Sequence, residues 1–225
     1  MPNCLVTGAN RGIGLAICRI LAARGDTVIA TARDPGSSAA LKGVASLVLP
    51  LDVTDPASCA ALAESLADRP IDLLVCNAGT YAARGGLDDP AFTAEAWMTQ
   101  LMTNVAGVFF TVRAIVPHLT RAGGGKIAVI SSKMGSTAMT PGKSYAYRAS
   151  KAAAVNLARN LASDLADKKI AVGAYHPGWV RTDMGGAGAD LDVTESASGL
   201  VRRFEALSLA TTGVFEDYRG EPIPF

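Results

Sequence analysis

The chain reads as an α/β protein whose single parallel sheet is covered by helices on both faces. Three observations predict this. Short runs rich in Val, Ile and Leu alternate with longer amphipathic segments along the whole chain. Each run is apolar throughout instead of every second residue, as strands buried on both faces are. A glycine cluster joins the first apolar run to the first amphipathic segment. Alternation of strand and helix implies right-handed crossovers and parallel pairing.

Taken in order, strands are expected near residues 3–7, 27–32, 46–51, 71–77, 126–131 and 170–175, with a weaker one near 213–216. The first helix opens at Gly12 and closes before Gly25, a residue suited to the left-handed position after a helix end. The second opens at Asp55-Pro56, a capping carboxylate followed by proline at the first helical position, and runs to about residue 68. Further helices cover about 94–120 (with a break near Asn104), 145–167 and 194–208. The glycine-rich stretch 183–193 reads as a mobile loop and not as a domain boundary. No linker or repeat interrupts the pattern.

Composition narrows the function classes. With 225 residues the chain can bury one sizeable core. A formal charge of +1 gives no electrostatic case for nucleic acid or a membrane surface. No apolar run approaches the roughly 20 residues that span a bilayer, and no secretory signal pattern opens the chain. Cys4, Cys18, Cys59 and Cys76 lack metal-site spacing and fall inside expected strands or helices, so buried free thiols in a reducing, cytoplasmic compartment are expected.

The segment Thr7-Gly8-Ala9-Asn10-Arg11-Gly12-Ile13-Gly14 describes a strand end, a tight turn and a helix start. Glycines there let a pyrophosphate approach the backbone and let the helix pack closely on its strand, while the helix N-terminus offers free N–H donors. The spacing is T-G-x-x-x-G-x-G instead of the commoner G-x-G-x-x-G. A dinucleotide site is expected.

Tyr147 and Lys151 stand four residues apart and so share one helix face. A cation about 4 Å from a phenol is worth roughly 4 kcal/mol at an effective dielectric of 20, before solvent screening, and would bring tyrosine toward neutral-pH proton transfer. The same pattern also fits an ordinary surface pair. Ser131 and Ser132 close the fifth strand on the edge where such sheets bind ligands, so a hydroxyl there either donates to a carbonyl or caps a turn. Cys76-Asn77-Ala78-Gly79 ends the fourth strand on the same edge, and Asn104 is an amide among apolar helix neighbours.

In this order, together with Asp52-Val53 and Pro177-Gly178-Trp179-Val180-Arg181-Thr182, the residues resemble the short-chain dehydrogenase/reductase family over nearly the whole chain. The wording around Ser132 and Tyr147 and the C-terminal Gly220–Phe225 are similar to the branch of sniffer-type carbonyl reductases and C-factor-like proteins. The resemblance implies a Rossmann-type doubly wound domain over 1–225, seven parallel strands in the order 3-2-1-4-5-6-7. Its cofactor-binding half would be about 1–125 and its catalytic and substrate half about 126–225. It also implies NAD(P)-dependent hydride transfer at the carbonyl or alcohol carbon of a small molecule. Tyr147 would be the acid–base residue, Lys151 would lower its pKa and hold the nicotinamide ribose, Ser132 would polarise the carbonyl, and Asn104 would anchor a relay water. The cofactor would meet Gly8, Asn10, Arg11, Gly12, Ile13 and Gly14. It would also meet Asp52 and Val53 at the adenine, Asn77, Ala78 and Gly79 at the adenosine side, and Pro177, Gly178, Val180 and Thr182 at the nicotinamide and phosphates. A homodimer or homotetramer through the helices around 104–120 and 147–166 is implied, and no metal. One departure stands out: Ser132 and Tyr147 lie two residues further apart than the family usually has them, whereas Tyr145 keeps the usual spacing but has Ala149 four residues on. The lysine decides for Tyr147.

Cofactor choice is read from the end of the second strand. Ala32 stands where an NAD-binding carboxylate would, Arg33 follows, and Arg11 is a second cation near the same place, so NADP(H) is favoured over NAD(H). The competing reading makes Asp34 the ribose ligand. His118 is expected to cap a helix end and His176 to order the cofactor loop. An NAD-dependent alcohol dehydrogenase, or a signalling protein that binds NAD(P) with little turnover, are the alternatives to carbonyl reduction. The substrate pocket falls to loops around 80–95 and 183–200.

Overall fold

The computed structural model describes residues 1–36 and 38–225. Among them, seven strands form one parallel sheet: β1 (Asn3–Val6), β2 (Thr27–Ala32), β3 (Leu47–Pro50), β4 (Leu73–Cys76), β5 (Lys126–Ile130), β6 (Ala171–His176) and β7 (Phe215–Asp217). Their order is β3-β2-β1-β4-β5-β6-β7, as the alternation and the resemblance imply. Alternate residues of each strand enter opposite cores. Leu5 and Ile29 face one layer with Leu74, Ile127 and Val172. Cys4, Val6, Val28 and Ala30 face the other with Val75 and Ala128. Full burial of such side chains contributes about 1.5–3 kcal/mol each, which is why both faces had to be apolar.

Helices α1 (Gly12–Ala23) and α6 (Val193–Ala206) cover the second face, α1 through Ile17, Cys18 and Leu21. Helices α2 (Pro56–Leu66), α4 (Gly107–Arg121) and α5 (Tyr145–Asp164) cover the first, and the shorter α3 (Ala94–Leu101) packs on α5. The Asp55 carboxylate accepts from the Ala57 N–H at 2.9 Å to cap α2. Gly25 takes the left-handed conformation just past α1, φ +86°. The break near Asn104 is a wider π-helical turn, Met102–Ala106, which joins α3 to α4.

That junction makes one continuous helix over Ala94–Arg121, long and apolar enough by length and composition to cross a membrane, where no such run was expected. Gln100, Asn104, Val108, Val112, Ile115 and Leu119 on it are buried inside the protein. His118 corrects a second expectation. It is buried, and its Nδ1 lies 2.9 Å from the Arg69 carbonyl, so it ties the segment before β4 to α4 instead of capping a helix in solvent. The four cysteines are free and buried, and burial pushes the thiols of Cys4, Cys18 and Cys76 up to about 12.

Candidate active site

A cleft of about 1130 Å³ runs along the carboxyl edge of the sheet. Its floor is the β1–α1 turn, and the conformations there explain the glycines. Gly8 sits at φ +61°, and a side chain on it would meet Ala78 Cα at 2.9 Å. A Cβ on Gly14 would come within 2.4 Å of Asn77 Nδ2. Two of the motif's glycines are therefore dictated by the end of β4, and Gly12, at φ +55°, by the turn itself. Asn77 commits its amide to the carbonyls of Thr7 and Gly8 at 2.9 and 3.0 Å. Thr7 Oγ1 accepts from the backbone N–H groups of Asn77 and Ala78, both at 3.0 Å. This stitch fixes the turn, and it gives Thr7, the first residue of the T-G-x-x-x-G-x-G motif, a role of its own.

No described side chain caps α1, and its first turn carries no acid. Arg11, Gly12 and Ile13 at its start line the cleft, together with Gly8 and Asn10 of the preceding turn. Free donors at a helix start fit a pyrophosphate. Arg33, Asp52, Val53, Asn77, Ala78, Gly79, Tyr147, Lys151, Pro177 and Thr182 also line it. Asp52 is held as an anion by Thr54, whose hydroxyl and N–H donate to it at 2.7 and 2.9 Å, with Arg33 nearby as a weaker influence. Gly14, Asn104, Ser132, Gly178 and Val180 do not line the cleft. Gly178 adopts φ +87° with Leu191 pressed against it, and buried Val180 pairs with Leu191 to close the glycine-rich loop. Arg11 is not a bare cation: Asp183 of that loop engages it in an ion pair. Arg19, not singled out from the sequence, adds a further cation to the lining.

Tyr147 lines the cleft and is buried, whereas Tyr145 is 40% exposed and packs edge-on against Phe92. The tyrosine that pairs with the lysine in spacing is the one that lines the cleft. Lys151 Nζ lies 5.7 Å from the Tyr147 ring centre and donates to the Ile130 carbonyl at 2.9 Å. The expected pKa effect is not what the geometry delivers. Burial pushes Tyr147 up to about 12, opposed by a hydrogen bond from Ser132, raised further by Tyr81 and lowered by Arg84. Burial also brings Lys151 down to about 8. In this dry position desolvation penalises charge on both partners by more than their attraction at that separation returns.

Polar residues beneath the cleft fix its walls. Asn104 accepts from the Thr80 N–H at 2.8 Å and donates to the Thr80 carbonyl and Ser150 Oγ, both at 3.0 Å. Gln100, one turn earlier and fully buried, accepts from the Ala82 N–H at 3.0 Å. Ser131 Oγ donates to the Lys151 carbonyl at 3.0 Å, which leaves Ser132 as the hydroxyl beside Tyr147. A second amide four residues from Asn104 was the available signal for Gln100. His176 is buried, its Nδ1 without a partner among the described residues, and burial lowers it to about 4.

The short chain dehydrogenase family profile matches residues 2–190. The chain belongs to that family. The NADPH-bound carbonyl reductase from chicken fatty liver superposes with a TM-score of 0.91 at 35% identity, covering 100% of this chain and 99% of that one. Carbonyl reductase Sniffer of D. melanogaster gives 0.92 at 29% identity, with both chains fully covered. C-signal of Myxococcus xanthus is 35% identical over 167 residues, 73% of this chain and 99% of that protein. This short chain dehydrogenase is thus an oxidoreductase of the branch that holds sniffer-type carbonyl reductases and C-factor-like proteins.

Proposed function

We propose that this dehydrogenase reduces a small-molecule carbonyl (an aldehyde, ketone or quinone) with NADPH, using Tyr147 as proton donor. The observation that carries the reading is a buried phenol that lines the cleft one helical turn from the Lys151 ammonium, its ring centre 5.7 Å from Lys151 Nζ. NADPH, held by the β1–α1 turn and Lys151, would supply the hydride that the carbonyl carbon needs. Ser132 polarises the carbonyl oxygen, and Tyr147 passes its hydroxyl proton to that oxygen as charge builds there. A phenol held near 12 stays protonated at neutral pH, which suits reduction better than alcohol oxidation. Lys151 spends one N–H on Ile130 and keeps two donors for the ribose hydroxyls. Asn104 would anchor the relay water, its side chain held in place by Thr80 and Ser150.

The preference for NADPH rests on Arg33 in the cleft and on the absence of a carboxylate at buried Ala32. The NADPH-bound chicken enzyme, alike over the full chain, supports it. Assembly as a homodimer or homotetramer belongs to the same proposal, supported by Met98, Leu101, Met102 and Phe109 exposed along one helix. So does a cytoplasmic site of action, supported by the unpaired thiols. The cofactor would be held largely by residues 1–125 and the reaction run by 126–225.

The likeness to C-signal favours a second reading, a cofactor-binding protein that acts without turnover. A panel of aldehydes, ketones and quinones, each offered with NADPH and NADH, separates the two. The proposal expects NADPH oxidation on part of the panel, lost in Ser132→Ala. Tight cofactor binding with no oxidation across the panel would favour the second reading.

A further inference from the structure

The connection between Ser132 and Tyr147 ends in a turn where Gly142, Lys143 and Ser144 all take left-handed backbone, φ +82°, +61° and +54°. Two of the three carry side chains, and such strain persists only where the surroundings enforce it. Ser144 stands at the N-terminus of α5, yet its hydroxyl caps none of the helix's own N–H groups. It turns outward to the segment after β4. Ser144 N–H donates to the Gly85 carbonyl at 3.0 Å and Ser144 Oγ donates to the Arg84 carbonyl at 3.1 Å. With that proton committed, the Tyr81 hydroxyl donates to Ser144 Oγ at 2.7 Å.

Tyr81, fixed in this way, lies flat on Tyr147, ring centres 4.0 Å apart and planes 18° from parallel. The Arg84 guanidinium covers its other face at 4.5 Å and also bonds the Met184 carbonyl of the glycine-rich loop. The other end of the segment is pinned by Asn104 and Gln100 through Thr80 and Ala82. The stack therefore has little freedom to slide. One face of the Tyr147 ring is closed to substrate, and rotation of the phenol about its side-chain bonds would have to displace an aromatic ring held at both ends.

We infer that Tyr81 is a positioning residue for the proton-donating phenol, and that the strained turn Gly142–Ser144 serves to hold Tyr81 in place. This rests on the assignment of Tyr147 made above. Steady-state kinetics of the full chain with NADPH and a carbonyl that it turns over test the inference in Tyr81→Phe, Tyr81→Leu, Ser144→Ala and the double Tyr81→Phe/Ser144→Ala. Tyr81→Leu should lower kcat on the order of a hundredfold, the scale of a misplaced reacting group. Tyr81→Phe, which keeps the stack, should lose only about three- to tenfold. Substrate KM and NADPH affinity should stay within about twofold of wild type, since a positioning loss acts on the chemical step. The double variant should be no slower than Ser144→Ala, because both changes remove the same hydrogen bond.

Near-ultraviolet circular dichroism of the cofactor-free protein gives a second readout. The tyrosine-pair signal should vanish alike in Tyr81→Leu and Tyr147→Leu. Wild-type kcat in Tyr81→Leu, or losses that multiply in the double variant, would overturn the inference. If Tyr81→Leu does not fold, the additivity result decides. Tyr147→Phe, run alongside, separates the two layers: activity retained there sinks the underlying assignment. An inactive Tyr147→Phe beside a fully active Tyr81→Leu sinks only the positioning role.

Discussion

The two ends of the cleft are built differently. At the proposed cofactor end, Gly8, Gly12, Gly14, Asn77 and Thr7 interlock through backbone conformations and hydrogen bonds of 2.9 and 3.0 Å between the ends of β1 and β4, and the chain's own geometry makes the surface. At the proposed substrate end, the wall is made by side chains far apart in sequence. Tyr81 is stacked on Tyr147, Ser144 holds Tyr81, and Arg84 reaches Met184. A site made of backbone tolerates little substitution and serves one ligand class. A site made of side chains on loops can be retuned while the chemistry beneath it stays.

The comparison can be broken first at the rigid end. Gly14→Ala places a carbon 2.4 Å from Asn77 Nδ2 and 2.7 Å from the Gly8 carbonyl. Overpacking of this kind costs about 1–3 kcal/mol, and relief requires moving the turn itself, so cofactor affinity should collapse while the sheet survives. Fluorescence titration with NADPH, beside a urea melt, reads both; wild-type affinity would show that the turn is softer than its contacts imply.

At the junction of the two ends, Asn104→Ala removes three hydrogen bonds and leaves the Thr80 N–H unpaired, while the Thr80 carbonyl keeps the Gln100 amide as its donor. A loss of about 2–3 kcal/mol in the urea melt is expected, and a loss below about 0.5 kcal/mol would mean that the segment after β4 is held by something else.

A smaller effect sharpens the cofactor end. Arg33→Ala should weaken NADPH binding about tenfold with little change for NADH, since one charge-assisted phosphate contact is worth roughly 1.5–3 kcal/mol. Ala32→Asp should invert the preference by adding repulsion against a 2′-phosphate and an acceptor pair for ribose hydroxyls. Tighter binding of NADH than NADPH by wild type would transfer the ribose to Asp34.

The gentlest test is pH. His176 is lowered to about 4 in the folded chain against 6.5 when exposed, so between those values the unfolded chain takes up the proton first. Stability from this residue is complete above pH 6.5 and is lost as pH falls toward 4, by about 3 kcal/mol at most. Melting curves across that window should be flatter in His176→Gln than in wild type; parallel curves would place the acid sensitivity elsewhere.

Legibility in the sequence followed the same division. The fold was readable because parallel strands buried on both faces are apolar without alternation, and because Asp55-Pro56 and Gly25 mark helix ends by local chemistry. The glycine turn and the shared helix face of Tyr147 and Lys151 were readable because their spacing is itself the signal, and the burial of Asn104 because an amide stood among apolar helix neighbours. The Tyr81 stack, the Ser144 anchor and the Arg11–Asp183 pair were not, since each joins residues brought together only by the finished sheet. The pKa of Tyr147 was misread for a related reason. Spacing on a helix gives proximity to a cation, but not the burial that outweighs it.

The central claim is that Tyr147, and not Tyr145 at the usual spacing, gives the proton. Single-turnover oxidation of bound NADPH by a carbonyl substrate, compared among wild type, Tyr147→Phe and Tyr145→Phe, tests it most directly. The account predicts that Tyr147→Phe loses turnover by roughly a thousandfold or more with NADPH affinity nearly unchanged, while Tyr145→Phe stays within a few-fold of wild type. Wild-type turnover in Tyr147→Phe, or its loss in Tyr145→Phe alone, would contradict it.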